Sequence, residues 1–228
     1  MRVHTLLALL PLAVVAQYTT SASAGDFIMG PERHDAATTG FFVNHFSLNV
    51  NNLTRSLDFY ASVFGMRHMF TMYLTDHLSI TYLGHSSGGR NGSAYQTTEE
   101  LIRIKNNAQG MIGLIHLDVP REEPIPSPAR QIGTLNTIGI IVPDTEAAQR
   151  RLEEHGVDIY KRLGEPLPED GPMSDPSVQL GDVTHLDDEE WEAIKVAMGE
   201  LNQLNIFAAD PDGNMLEILP MDEQGLFG

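Results

Sequence analysis

The sequence predicts an α+β fold of two βαβββ modules that form a curved mixed sheet around a pocket. Three observations predict it. Apolar residues alternate with polar ones from residue 43, and a second such stretch opens 92 residues later. In register, Asn136 to Val142 repeats Asn44 to Val50, so that Ile138, Ile140 and Val142 fall where Phe46, Leu48 and Val50 fell. Between the two copies, Pro120, Pro124, Pro126 and Pro128 make a stiff linker.

The elements follow in order. In residues 43–50, Phe46, Leu48 and Val50 form one face, and His45, Ser47 and Asn49 the other. A helix is expected from about Thr54, capped by that residue, with Leu57, Tyr60, Ala61 and Phe64 at helical spacing and Gly65 as its stop. Strands are expected over Arg67–Leu74 and His77–Gly84, a helix over Thr97–Asn107 with Thr98 as cap, and a strand over Gly110–Val119. The second copy reads as a strand to Val142, a helix over Thr145–His155 stopped by Gly156, and a strand over Val157–Arg162. It closes with a strand at Leu204–Ala208, the turn Asp210-Pro211-Asp212-Gly213, and a strand at Asn214–Leu219. Asp-Gly at the tip is a strong hairpin signal. The modules therefore span 41–120 and 133–220 of a domain covering 41–220, with a short tail at 221–228. An insertion at 163–200 begins as a proline-rich loop and ends in an amphipathic helix over Asp187–Leu201, through Trp191, Ile194 and Met198.

The N-terminus reads as an address. Arg2 precedes an apolar run from Leu6 to Ala16, too short to span a bilayer, and Ala22-Ser23-Ala24 is a cleavage pattern. The expectation is a signal peptide at 1–24 cut after Ala24, a loose arm at 25–40, and a secreted product. The sequons at Asn52 and Asn91 suit that compartment as N-glycosylation sites.

Composition excludes several classes of function. The chain has 228 residues, no cysteine and a net charge of −17. No thiolate nucleophile, disulfide scaffold or cysteine-held metal is available. The acidity argues against nucleic acid and anionic membrane surfaces as partners. It is also local: residues 163–194 hold ten acidic side chains and no Lys or Arg, whereas residues 41–120 are neutral.

Alternation puts His45 on the face away from the helix. His116 sits among apolar neighbours in the last strand of the first module, and Glu217 in the last strand of the second. A glutamate inside such a strand is costly unless it pairs or binds a cation. Together His45, His116 and Glu217 would make a two-histidine, one-carboxylate set suited to Zn²⁺, Fe²⁺, Mn²⁺ or Ni²⁺ with positions open for substrate. Tyr82 is a candidate for the pocket wall.

Residues Asn44–Met66, the segment Ile138–Asp144 and above all Asp210-Pro211-Asp212-Gly213-Asn214-Met215-Leu216-Glu217-Ile218 resemble the glyoxalase I branch of the vicinal oxygen chelate superfamily. The resemblance implies that the ligand positions fall on His45, His116, Thr137 and Glu217. Thr137 departs from the usual histidine, which leaves three alternatives: an extra water beside it, a donor from elsewhere with His185 as a candidate, or a site that has lost its metal. It implies a metal-dependent lyase or isomerase working through a chelated enediolate, with Glu217 as the base, and either one chain pairing its own modules or a homodimer that swaps them, of which the homodimer is preferred. Three positions that anchor glutathione in the family hold Asn49, Pro120 and Gly133 here, which points to another small oxygenated metabolite. Ser47 and Asn49 then become pocket residues beside Thr137 and Tyr82. Two alternatives stay open: an extradiol-type dioxygenase using Fe²⁺, and a non-catalytic small-molecule-binding protein.

Overall fold

The computed structural model describes residues 36–86, 96–128, 135–174, 180 and 186–221. The chain divides into a unit at 1–42 and a unit at 43–228. The described part of the first is a 3-10 turn at Ala36–Thr38, after which Phe41 N donates to Thr38 O. The signal segment, most of the arm, Asn91 and His185 lie outside the described residues.

Two βαβββ modules make up the second unit. The first runs β1 (His45–Asn49), α1 (Leu53–Ser62), β2 (Arg67–Tyr73), β3 (Leu78–Gly84), α2 (Thr98–Ile104) and β4 (Met111–Leu117). Its sheet has the order β1-β4-β3-β2, with β1 parallel to β4 and the other pairs antiparallel. Leu48 and Val50 are buried as expected, with Tyr60, Met66, Leu83, Ile112 and Leu114 in the core under α1, whereas Phe46 at the start of the strand is exposed. Helix α1 starts one position earlier than its cap was expected. Asn52, not Thr54, is the cap, its side chain accepting from Arg55 N. Thr97 rather than Thr98 caps α2, in a reciprocal box with Glu100.

The second module repeats the plan with β5 (Ile138–Val142), α3 (Thr145–Glu154), β6 (Ile159–Lys161), α4 (Asp188–Leu201), β7 (Ile206–Ala209) and β8 (Met215–Pro220). Its sheet order, β5-β8-β7-β6, mirrors the first. Gly156 takes φ +64°, as Gly65 takes φ +68°, so both helices of the repeat end on a left-handed glycine. The acidic run in the insertion has a local cause. Asp187 caps α4 by accepting from Glu190 N, and Asp188, Glu189 and Glu190 occupy the first turn, where carboxylates oppose the helix dipole favourably. Among the described residues no helix is long and apolar enough to cross a membrane.

Backbone hydrogen bonds do not join the two sheets among the described residues. Side chains tie the modules together. Val63, just past α1, is buried in the second core with Leu152, Ile206, Ala208, Leu216 and Ile218, while Phe59, Phe64 and Ile138 pack against both cores. Arg151 on α3 donates through Nε to Val63 O at 2.6 Å and through a second nitrogen to Ser62 O.

Candidate functional site

Register decides which residues share a face. Paired residues on adjacent strands point the same way. His45 pairs with Met111, Ser47 with Gly113 and Asn49 with Ile115, while Gly113 also pairs with Tyr82. These residues lie on the face turned away from the α1 core. Leu48, Leu114, Ile112 and Leu83 lie on the other face, in that core.

His116 is thereby corrected. It follows Ile112 and Leu114 in alternation and pairs with Ser79, on the opposite face from His45. His45 stands level with Met111, five residues from His116, so about 16 Å of strand separates them as well. The two residues do not form a ligand pair.

His45 itself is held from both sides. Asn44 Nδ2 donates to Lys105 O and Ala108 O, both at 2.8 Å, which fixes Oδ1 towards the imidazole. His45 Nδ1 then donates to Asn44 Oδ1 at 2.9 Å, and in the neutral ring Nε2 accepts from the Tyr82 hydroxyl at 2.9 Å. Tyr82 meets His45 edge-on and stacks on Phe70 at 5.1 Å. Helix α2 covers this end of the sheet through Leu101, buried with Met69 and Met111 against Phe70 and Tyr82. Beyond it the face is open: Ser47 and Asn49 are exposed, and Tyr82 is half-buried. Gly113 lies between them. A Cβ at that position would come within 2.9 Å of Ser47 Oγ, so a larger residue there would push the serine hydroxyl aside.

Glu217 faces away from the α3 core too, but in a different setting. It pairs with Gly139 and Phe207. Its Oε2 accepts from Thr137 Oγ1 at 3.2 Å and its Oε1 from Asn205 Nδ2 at 3.0 Å. Thr137 thus serves as a hydrogen-bond partner of the carboxylate. The insertion packs over this part of the sheet, burying Met173 with Phe207 and Met215 against Tyr160 and Leu167. Alongside, Lys161 is 2% exposed, its Nζ donating to Arg162 O and Asn205 O at 3.0 Å. Burial pushes the Lys161 pKa down, and the nearby Glu165 carboxylate pulls it part of the way back.

Among the described residues no three His, Asp or Glu side chains come together as a metal-binding group. His45, His116 and Glu217 are all described, and they do not fit a common ion. His45 has both ring nitrogens engaged, His116 is on the other face, and both Glu217 oxygens are satisfied by neutral donors.

The Asp210-Pro211-Asp212-Gly213 turn has a structural role that sequence reading missed. Asp210 accepts from the Tyr60 hydroxyl, Asn214 Nδ2 and the backbone of Asp212 and Asn214. Asp212 accepts from Asn51 N and Nδ2 and from Ser56 Oγ, and Arg55 reaches it at 3.3 Å. Burial raises the pKa of Asp210, against the opposing effect of its hydrogen bonds, and burial with the adjacent Asp210 charge raises that of Tyr60. Asn44 and Asn205, which orient the two candidate groups, were also missed. The one available signal was the recurrence of asparagine before the opening strand, at Asn44 and Asn136.

Comparison with known proteins adds the family. A comparison with curated protein sequences returned no match. Solved structures with similar backbones include the trypanothione-dependent glyoxalase I of Leishmania major, at 17% identity over 79% of this chain and 87% of that one, TM-score 0.41. A glyoxalase I from Zea mays has 17% identity over 77% of this chain and 43% of that one, TM-score 0.44, so the match spans less than half of the maize protein. TnmS3, an antibiotic binding protein from a Streptomyces species, has 18% identity over 82% and 98%, TM-score 0.40. Likenesses this distant carry no functional argument. The Glyoxalase/Bleomycin resistance protein/Dioxygenase superfamily model matches residues 42–177, more than half of the chain, and the structure supplies the remaining strands of the second module. The chain belongs to the Glyoxalase/Bleomycin resistance protein/Dioxygenase superfamily.

Proposed function

We propose that the protein is a small-molecule-binding member of this superfamily that uses the open face of the first sheet without a metal held by His45, His116 and Glu217. The engagement of both His45 ring nitrogens carries this reading. An imidazole whose Nε2 lone pair accepts from Tyr82 is an orienting group rather than a metal ligand. It fixes the Tyr82 ring, stacked on Phe70, and Ser47 and Asn49 on the same face supply exposed hydroxyl and amide groups. That combination of an aromatic floor and a few placed polar groups suits a neutral oxygenated metabolite. Catechol is a suitable probe. Calorimetric titration of chelator-treated protein with catechol is expected to show binding, weakened several-fold in Asn49→Ala and Tyr82→Phe. Binding that appears only after a divalent metal is restored would overturn the reading. Oxygen uptake in the same titration would reveal the dioxygenase alternative.

A second reading keeps the metal-dependent lyase or isomerase. His45 and Glu217 each stand on the face of their sheet turned away from the α1 or α3 core. Two copies exchanging modules would bring these faces together, with Glu217 as base and without His116. A dimer with one Zn²⁺, Fe²⁺, Mn²⁺ or Ni²⁺ per site would support it. Secretion, with cleavage after Ala24 and glycans at Asn52 or Asn91, belongs to the same proposal; Asn52 is exposed, as a glycan acceptor must be. Neither nucleic acid nor membrane is expected as a partner.

A further inference from the structure

A cavity of about 720 Å³ lies between the 164–174 loop and α4, within the insertion and away from the open face of the first sheet. We propose that it binds a hydrophobic organic cation. The volume is that of a drug-sized ligand site. Its apolar walls include Leu167, Met173, Trp191, Ile194 and Met198. Among the described residues four carboxylates, Glu165, Glu169, Glu192 and Glu200, also line it, against the single ammonium of Lys195. The site already seats a cation: Lys195 Nζ lies 5.7 Å from the Trp191 ring centroid and 2.5 Å from Glu192 Oε1. An indole face beside a carboxylate is the arrangement that attracts ammonium and other organic cations. A ligand bearing a delocalised positive charge takes the place of the Lys195 head, which is partly exposed and free to swing to solvent. Gly199 completes the wall. A Cβ built there meets nothing within 4 Å, so the position has room for the start of a side chain at the cavity wall.

Trp191 is the only tryptophan in the chain, so its fluorescence reports this cavity alone. The test titrates the full-length protein with tetraphenylphosphonium and, separately, with tetraphenylborate, which has nearly the same shape and the opposite charge. The expected result is a saturable fluorescence change with the phosphonium and at least tenfold weaker binding of the borate. Gly199→Phe is expected to weaken phosphonium binding at least tenfold. The exposed pair Glu165→Gln and Glu192→Gln together narrows the gap between the two ions several-fold, and that pair serves as the test should Gly199→Phe not fold. His45→Ala, on the other module, leaves the titration unchanged, so this proposal stands or falls apart from the binding site on the first sheet. Absence of a saturable change, equal binding of the two ions, or wild-type affinity in folded Gly199→Phe would overturn it.

Discussion

The Tyr60 hydroxyl donates to Asp210 Oδ2 at 2.8 Å, joining α1 of the first module to the closing hairpin of the second. Tyr60 is fully buried and Asp210 is 4% exposed, so neither group can exchange this bond for water. With the bonds from Asn51 and Ser56 to Asp212, it makes the turn a latch between modules. Tyr60→Phe should therefore destabilise the fold by about 1–3 kcal/mol, the cost of leaving a buried acceptor short of a partner. Urea unfolding of the two proteins measures it, and a shift below 0.5 kcal/mol would show that the latch is not under load.

Asp210 gives the latch a pH dependence of known sign. Its pKa is raised by burial above the ordinary 3.8. The folded state then binds a proton more readily than the unfolded one, and its Asp210 contribution grows as pH falls from the raised pKa towards 3.8. Above the raised pKa, the buried ionised carboxylate costs stability. Unfolding midpoints of wild type and Asp210→Asn, compared across that interval, should move in favour of wild type as pH drops. Movement the other way would mean that hydrogen bonds outweigh burial at this carboxylate.

Asn52 serves two chemistries that substitution can separate. It caps α1 and opens the sequon. Asn52→Ala should cost about 1 kcal/mol of stability through the lost cap. Asn52→Asp removes the sequon and keeps an acceptor for Arg55 N, so its stability should stay near wild type. Thermal unfolding of protein made in bacteria, where no glycan is added, isolates the cap. Equal melting temperatures for the two variants would refute the capping role.

The fold was legible because its signals are local. The alternation through Leu48 and Val50, and its recurrence at Ile138, Ile140 and Val142, needs only a strand with one side packed on a core, which both β1 and β5 have, although Phe46 at the start of β1 is exposed. The helix stops were legible for the same reason, since Gly65 and Gly156 take left-handed backbone that other residues resist. The site was less so. In β4, Met111-Ile112-Gly113-Leu114-Ile115 is apolar on both faces, so the sequence carries no alternation from which to tell the side of His116. Only the pairing with β1 and β3 reveals it. A glutamate inside an apolar strand signals the need for a partner, but the partners of Glu217, Thr137 and Asn205, come from 80 and 12 residues away, a distance that pattern does not encode. The charge of the insertion was located from sequence, whereas the cavity beside α4 depends on how a proline-rich loop folds back.

The most direct test is the metal content of full-length protein expressed in medium supplied with Zn²⁺, Fe²⁺, Mn²⁺ and Ni²⁺ and passed through a desalting column. With His45 and Glu217 committed to hydrogen bonds and His116 on the opposite face, elemental analysis should find well under one transition metal per chain. The value should be the same in His45→Ala, His116→Ala and Glu217→Gln. Close to one metal per chain, lost in both His45→Ala and Glu217→Gln, would contradict metal-independent binding and establish the metal-dependent reading instead.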